Sequence, residues 1–250
     1  MASIPRLTVP GSSVMHIHAI ASLAFLLLAA CSNAPPERGV RGLDCTLVLL
    51  KTGPRTEPMS REQQNDVFRG HFANMERLAK EGRLLVAGPY GKQKSDPSLR
   101  GIFVLDTGDR DAARALAETD PGFTARVFRF EYHPLTTAAP LRECLAADLA
   151  AREAIRASGR TPQPGEGGRS YVLLTADGRE AHEALTDLPG VLLLARLDRT
   201  RTFALLDAKD LDAAAPLLAP CALRLGSYTL DEWFGSGKLA ELPTMAATGG

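Results

Sequence analysis

The chain has 250 residues, 45% of them hydrophobic and 23% charged, the proportions of an ordinary globular protein of one or two domains rather than of a disordered one. Lysine plus arginine equals aspartate plus glutamate, 29 against 29, so no overall field recruits nucleic acid or an acidic surface.

At the N-terminus, residues 19–30, AIASLAFLLLAA, form an apolar run that ends in small residues before Cys31. A membrane-spanning helix needs roughly 20 apolar residues, so this run is expected to be the core of a signal peptide covering residues 1–30. Its removal would take away Arg6 and the His16-x-His18 pair, whose spacing otherwise invites a metal reading. Leu28-Ala29-Ala30-Cys31 resembles the lipobox of bacterial lipoproteins. That resemblance implies a lipidated Cys31 holding the protein on a membrane of the bacterial cell envelope, and Ser32 beside it implies the periplasmic face of the outer membrane. The alternative is a plain secretory signal with an incidental cysteine. Residues 31–43, rich in Pro, Gly and charge, suit a tether. Cys45, Cys144 and Cys221 are an odd set without regular spacing, a weak basis for a disulfide.

The first domain is expected over residues 44–135. CTLVLLK, Cys45 to Lys51, reads as a buried strand that Gly53-Pro54 ends. A helix follows from a capping box, Ser60 with Gln63, and stops at Gly82. Val67, His71, Met75 and Leu78 share its inner face, so His71 points inward. RLLVAG and RGIFVLD are the next two strands, and Asp109 caps a second helix that Asp120-Pro121 ends. ARVFRFEYH, from Ala125, alternates as a fourth strand. Two βαβ-like halves in this order describe a ferredoxin-like α+β unit with both helices on one face of an antiparallel sheet. Its bare face calls for a partner.

The chain offers one. Residues 136–168 read as a helix followed by the flexible GRTPQPGEGG, after which the pattern restarts in shortened form over residues 169–235. SYVLLTA parallels CTLVLLK, GVLLLARL parallels GRLLVAGP, and TRTFALLDA parallels LRGIFVLDT. The expected architecture is α+β: two tandem ferredoxin-like domains packed sheet against sheet as an intramolecular pseudo-dimer, the second shortened and divergent. Residues 236–250 read as a frayed tail.

LLKTGP, then GHFANMERLAKEGRLLVAGP, then RGIFVLD and DP together resemble the YCII-related domain family across residues 45–135, and faintly across 170–234. The resemblance implies a fold of the dimeric α+β barrel type and a site made of a helix histidine with the aspartate of the DP turn. These match His71 and Asp120. It implies acid–base chemistry on a small carbonyl or lactone compound. An imidazole exchanges protons near neutral pH, and a carboxylate on one ring nitrogen fixes the tautomer and leaves the other for substrate. By loop position alone, Arg100 could supply a charged donor and Tyr90 a phenolic one. Judged by its helical face alone, His71 is better explained by packing, and the resemblance brings chemistry level with it; Asp120 is as well explained by its turn.

In the second half Ala219-Pro220 stands where the first has Asp120-Pro121, and His182 falls nearer the place of Met75, so at most one site per chain is expected. GSGK at Gly235–Lys238 lacks the remaining residues of a phosphate loop, no Cys/His cluster has metal-ligand spacing, and no cofactor motif occurs. Two functions remain: a lipid-anchored His/Asp enzyme, or a non-catalytic module that binds a small molecule or interacts at the envelope.

Overall fold

The computed structural model describes residues 42–248 except positions 164 and 199. The expected signal peptide, Cys31 and all but the last residues of the tether lie outside the described residues.

The chain runs β1 (Leu43–Thr52), α1 (Arg61–Lys80), β2 (Leu84–Pro89), β3 (Leu99–Leu105), α2 (Arg110–Ala117), the single turn α3 (Pro121–Thr124) and β4 (Phe128–Thr137). A connecting helix α4 (Leu141–Ala157) leads to β5 (Gly168–Asp177), α5 (Arg179–Leu185), β6 (Val191–Leu197), β7 (Arg201–Leu206), α6 (Leu211–Leu218) and β8 (Tyr228–Ser236). Local chemistry sets the boundaries. Ser60 Oγ accepts the Gln63 amide at 3.1 Å while Gln63 Oε1 accepts the Ser60 amide at 2.9 Å, and Gly82 takes the left-handed conformation that ends α1 at φ +68°. The fourth strand starts at Phe128, three residues later than the alternation suggests, because the turn of α3 continues through Arg126 at φ 59° and ties the Val127 amide to the Gly122 carbonyl.

All strands pair antiparallel in one sheet of order β2-β3-β1-β4-β6-β7-β5-β8. The outer strands β2 and β8 meet through a bridge between Tyr90 and Trp233 and through the Gly91 amide, 2.6 Å from the Glu232 carbonyl. The sheet is therefore a nearly closed barrel. This differs from the expected sheet-against-sheet stack: the halves join edge to edge, at β4–β6 and at β2–β8, and their inner faces share one core. Period-2 alternation states which face is apolar and is silent on whether the covering layer arrives by stacking or by closure.

Strand alternation separates three apolar clusters. Cys45, Leu47, Ile102, Leu135, Tyr171, Leu173, Phe203 and Trp233 fill the lumen. Val48, Leu50, Phe103, Leu105 and Phe128 face outward to Leu78 of α1 and to Ala113 and Ala117 of α2. Val172, Leu174, Ala204 and Leu206 do the same for α5 and α6. The C-terminus is more ordered than a frayed tail: a 3-10 turn (Gly237–Glu241) and α7 (Leu242–Thr248) deliver Leu239 and Leu242 to the lumen core, alongside Leu141, Cys144 and Leu145 of α4. The spacing of these leucines in a polar stretch hid this burial. Cys45, Cys144 and Cys221 are all buried and free. Among the described residues no helix is long and apolar enough to cross a membrane.

Candidate functional site

The outward face of the first four strands carries α1, and the third turn of α1 sets His71 over Phe103 of β3, with the rings stacked at 6.0 Å. The residue before it is Gly70. A Cβ there would sit 2.9 Å from Pro121 Cγ, so the absence of a side chain is what lets α1 lie against α3. Across that contact, Pro121 at the first position of α3 biases Asp120 away from the helical region, and Asp120 adopts φ −71°, ψ 126° as the N-cap. Its two carboxylate oxygens then divide their work. Oδ1 accepts the Gly122 amide at 2.7 Å, and Oδ2 lies 2.6 Å from His71 Nδ1. Gly122 is also confined, since a Cβ would fall 2.5 Å from the Phe128 ring.

The pair is shielded. Asp120 is fully buried and the His71 side chain keeps 9% of its surface. Around the imidazole stand Phe128 at 5.3 Å, Phe72 at 5.4 Å and Phe68 at 6.4 Å between centroids, besides Phe103. Among the described residues no lysine or arginine bonds to either partner. One turn along α1, Asn74 Oδ1 accepts Arg77 at 2.8 Å and Thr119 at 3.2 Å, a second polar tie between α1 and the segment that ends at Asp120, while Asn74 Nδ2 is buried without a partner. A carboxylate has no proton to give, so an ionised Asp120 makes Nδ1 the donor and leaves Nε2 as the nitrogen available to a ligand. Two surface hollows lie elsewhere, one on α1 bordered by Ala73, Glu76 and Lys80, the other between α4 and the C-terminal 3-10 turn.

Arg100 and Tyr90 are not brought to this pair. Arg100 is exposed and sits at the irregularity of β3 where Leu50 and Lys51 of β1 face Gly101 and Leu99. Its guanidinium donates to the carbonyls of Pro97 and Leu99 at 2.9 and 3.0 Å. Tyr90 packs on the lumen core beside Trp233, and burial, aided by Asp231 and Asp96, pushes its phenol above the ordinary range. Loop position in the sequence does not reveal which partners a side chain finds: Arg100 finds backbone carbonyls and Tyr90 the neighbourhood of Trp233. Gly70 and Gly122, on the other hand, were missed. Their signal was present, a glycine beside each member of the pair, but a glycine in a helix or after proline reads first as a break.

The second half has no equivalent. His182 of α5 has its Nδ1 buried without a partner, and Ala219-Pro220 opens a 3-10 turn with no carboxylate at its cap. Among the described residues no group of three or more histidine, cysteine or acidic side chains could hold a metal ion.

Comparison with known proteins matches these observations to one family over part of the chain. No curated protein and no solved structure matches the chain. Residues 46–134, the stretch from β1 to β4 that carries both His71 and Asp120, match the YCII-related domain.

Proposed function

We propose that the first half of the barrel is an acid–base site in which His71 Nε2 exchanges a proton with a small carbonyl compound while Asp120 holds the imidazole in the tautomer that leaves Nε2 basic. The observation that carries this reading is the 2.6 Å contact between Nδ1 and a fully buried carboxylate whose other oxygen is already fixed by a backbone amide. A histidine that serves packing alone has no need of a buried charge, which is costly unless its bonds are satisfied. A screen of small lactones, esters and ketones for turnover, repeated with His71→Ala and Asp120→Asn, tests the proposal. Turnover abolished by the first and strongly reduced by the second is expected, and turnover indifferent to both would refute it.

A non-catalytic binding module is the competing reading, and the near-complete burial of the His71 ring favours it. Thermal shift by a small carbonyl compound, with no turnover across the screen, would decide for that alternative. We further propose that β5–β8 descend from a duplication of β1–β4, the whole being a pseudo-dimer within one chain. In support, both halves share the order strand, helix, strand, strand, helix, strand, and they occupy corresponding places in the sheet. Lipid anchoring at Cys31 rests on the lipobox resemblance, and incorporation of labelled palmitate that is lost in Cys31→Ser is its test.

A further inference from the structure

Four large apolar side chains are exposed among the described residues, Phe68, Phe72, Leu223 and Tyr228, and two of the four bracket the same histidine. Phe68 is 41% and Phe72 55% exposed, yet both rings contact the His71 ring, and Phe68 also packs edge-on against Phe128 at 6.2 Å. About half of each ring is left uncovered by these contacts. The inner stripe of α1 is met by His71, Asn74 and Leu78, and positions 68 and 72 lie at its solvent margin. Apolar side chains left in water beside a shielded polar group mark a place where a ligand completes the burial.

The charges around this margin exclude one class of ligand. With a neutral imidazole, the His71–Asp120 pair carries the whole charge of the buried carboxylate. The neighbouring cations are already engaged: Arg69 pairs with Asp66 in solvent, and Arg77 binds both oxygens of Glu81. Arg100, the cation that could have received an anionic substrate, has its guanidinium held by the carbonyls of Pro97 and Leu99. An anion arriving at Nε2 would meet a like charge at short range with no compensating partner.

Resting on the acid–base reading of the same site, we infer that its ligand is a small uncharged carbonyl compound with an aromatic or alkyl flank. A C–H beside the carbonyl, acidified by it, faces the lone pair of His71 Nε2, and the flank lies on Phe68 and Phe72. Carboxylates are turned away. Phe72, the more exposed of the two rings, is the main determinant of this preference, and Phe68 supports it from the Phe128 side.

The test compares acetophenone with benzoate, probes of matched ring size that differ in charge and are inert to hydrolysis. The full chain is titrated with each while the Cε1–H resonance of His71, assigned by its disappearance in His71→Gln, is followed by NMR. Acetophenone is expected to shift the resonance saturably, benzoate to bind at least about tenfold more weakly, and Phe72→Ser to weaken acetophenone about fivefold or more. Equal or tighter binding of benzoate, no binding of either probe, or an unchanged acetophenone affinity in both Phe68→Ser and Phe72→Ser would overturn the inference. So would sedimentation showing a dimer that Phe72→Ser dissolves, since a second copy would then be the occupant of this surface. Acetophenone binding without turnover of any compound would remove the catalytic reading and keep the preference; turnover of carboxylates in preference to neutral compounds would do the reverse.

Discussion

Replacing Asp120 separates what its carboxylate does for the fold from what it does for the imidazole. Asp120→Ala removes the bond to His71 Nδ1 at 2.6 Å and the cap on the Gly122 amide at 2.7 Å, and leaves both donors buried. A hydrogen bond to a charged group contributes about 1.5–3 kcal/mol and an N-cap about 1 kcal/mol, partly offset because a buried charge is also removed. The expected loss is about 2–4 kcal/mol. Asp120→Asn keeps an oxygen for the Gly122 amide but turns an amide donor toward Nδ1, so the neutral imidazole must accept there and carry its proton on Nε2. Its cost should stay below about 1.5 kcal/mol, the loss of charge assistance at a single bond. Urea unfolding followed by the fluorescence of Trp233, the one tryptophan of the chain and a residue only 2% exposed, measures the two stabilities. Long-range nitrogen–proton NMR of the ring reads the tautomer. If Asp120→Asn leaves the proton on Nδ1, the carboxylate does not orient the ring, and if Asp120→Ala costs less than about 0.5 kcal/mol, it does not hold the turn.

Gly122→Ala would place a methyl group 2.5 Å from the Phe128 ring and 2.9 Å from Asp120 Oδ1. It is expected to cost about 1–3 kcal/mol and to move the His71 ring resonances, whereas Gly82→Ala, at φ +68° in open space, costs about 1 kcal/mol and leaves them in place. Burial pushes the thiols of Cys45 and Cys144 up to about 12, so an aromatic disulfide reagent should leave both unmodified in the native protein and react only on unfolding, as an absorbance assay with and without urea would show. Burial lowers the proton affinity of His133 below the ordinary value of 6.5, with Asp198 opposing and Arg201 adding to the effect, and His182 is lowered in the same direction, first by burial and then by Arg196. The unfolded chain then takes up these protons first, so the stability they contribute is complete above 6.5 and falls as pH drops through that value. His133→Gln should flatten the fall, measured by urea midpoints, and an unchanged slope would contradict it.

Much of the first half could be read from local chemistry. The capping box at Ser60 and Gln63, the stop at Gly82 and the break at Asp120-Pro121 are decided within a few residues, and the chain obeys them. The inward face of α1 was legible for the same reason, since helical spacing alone brings Val67, His71 and Leu78 to one side. The meeting of His71 with Asp120, 49 residues apart, came only through the family resemblance, because no periodicity connects two separate turns. The close approach that permits it depends on Gly70 and Gly122, which are visible in the sequence, while the neighbours that require them, Pro121 and Phe128, are supplied by the fold. Arg100 misleads in the opposite way: a cation next to a loop reads as a donor for a ligand, while its guanidinium is bound to the carbonyls of Pro97 and Leu99. The C-terminal turn was hidden because Leu239 and Leu242 sit among polar residues and gain their meaning from a lumen built by strands far away in the chain.

The way the two ends of the sheet meet has a consequence for how the chain can be divided. β4 is flanked by β6, and β2 by β8, so the backbone groups that would border a separate first half are occupied by strands from the second. Excised alone, residues 46–134 would present two raw borders and an uncovered apolar floor, a template for adding foreign strands. A chain severed in the polar stretch between α4 and β5 should fare otherwise. Its two pieces carry matching borders, and each supplies what the other lacks, so they are expected to find one another and rebuild the barrel with the His71 pair intact.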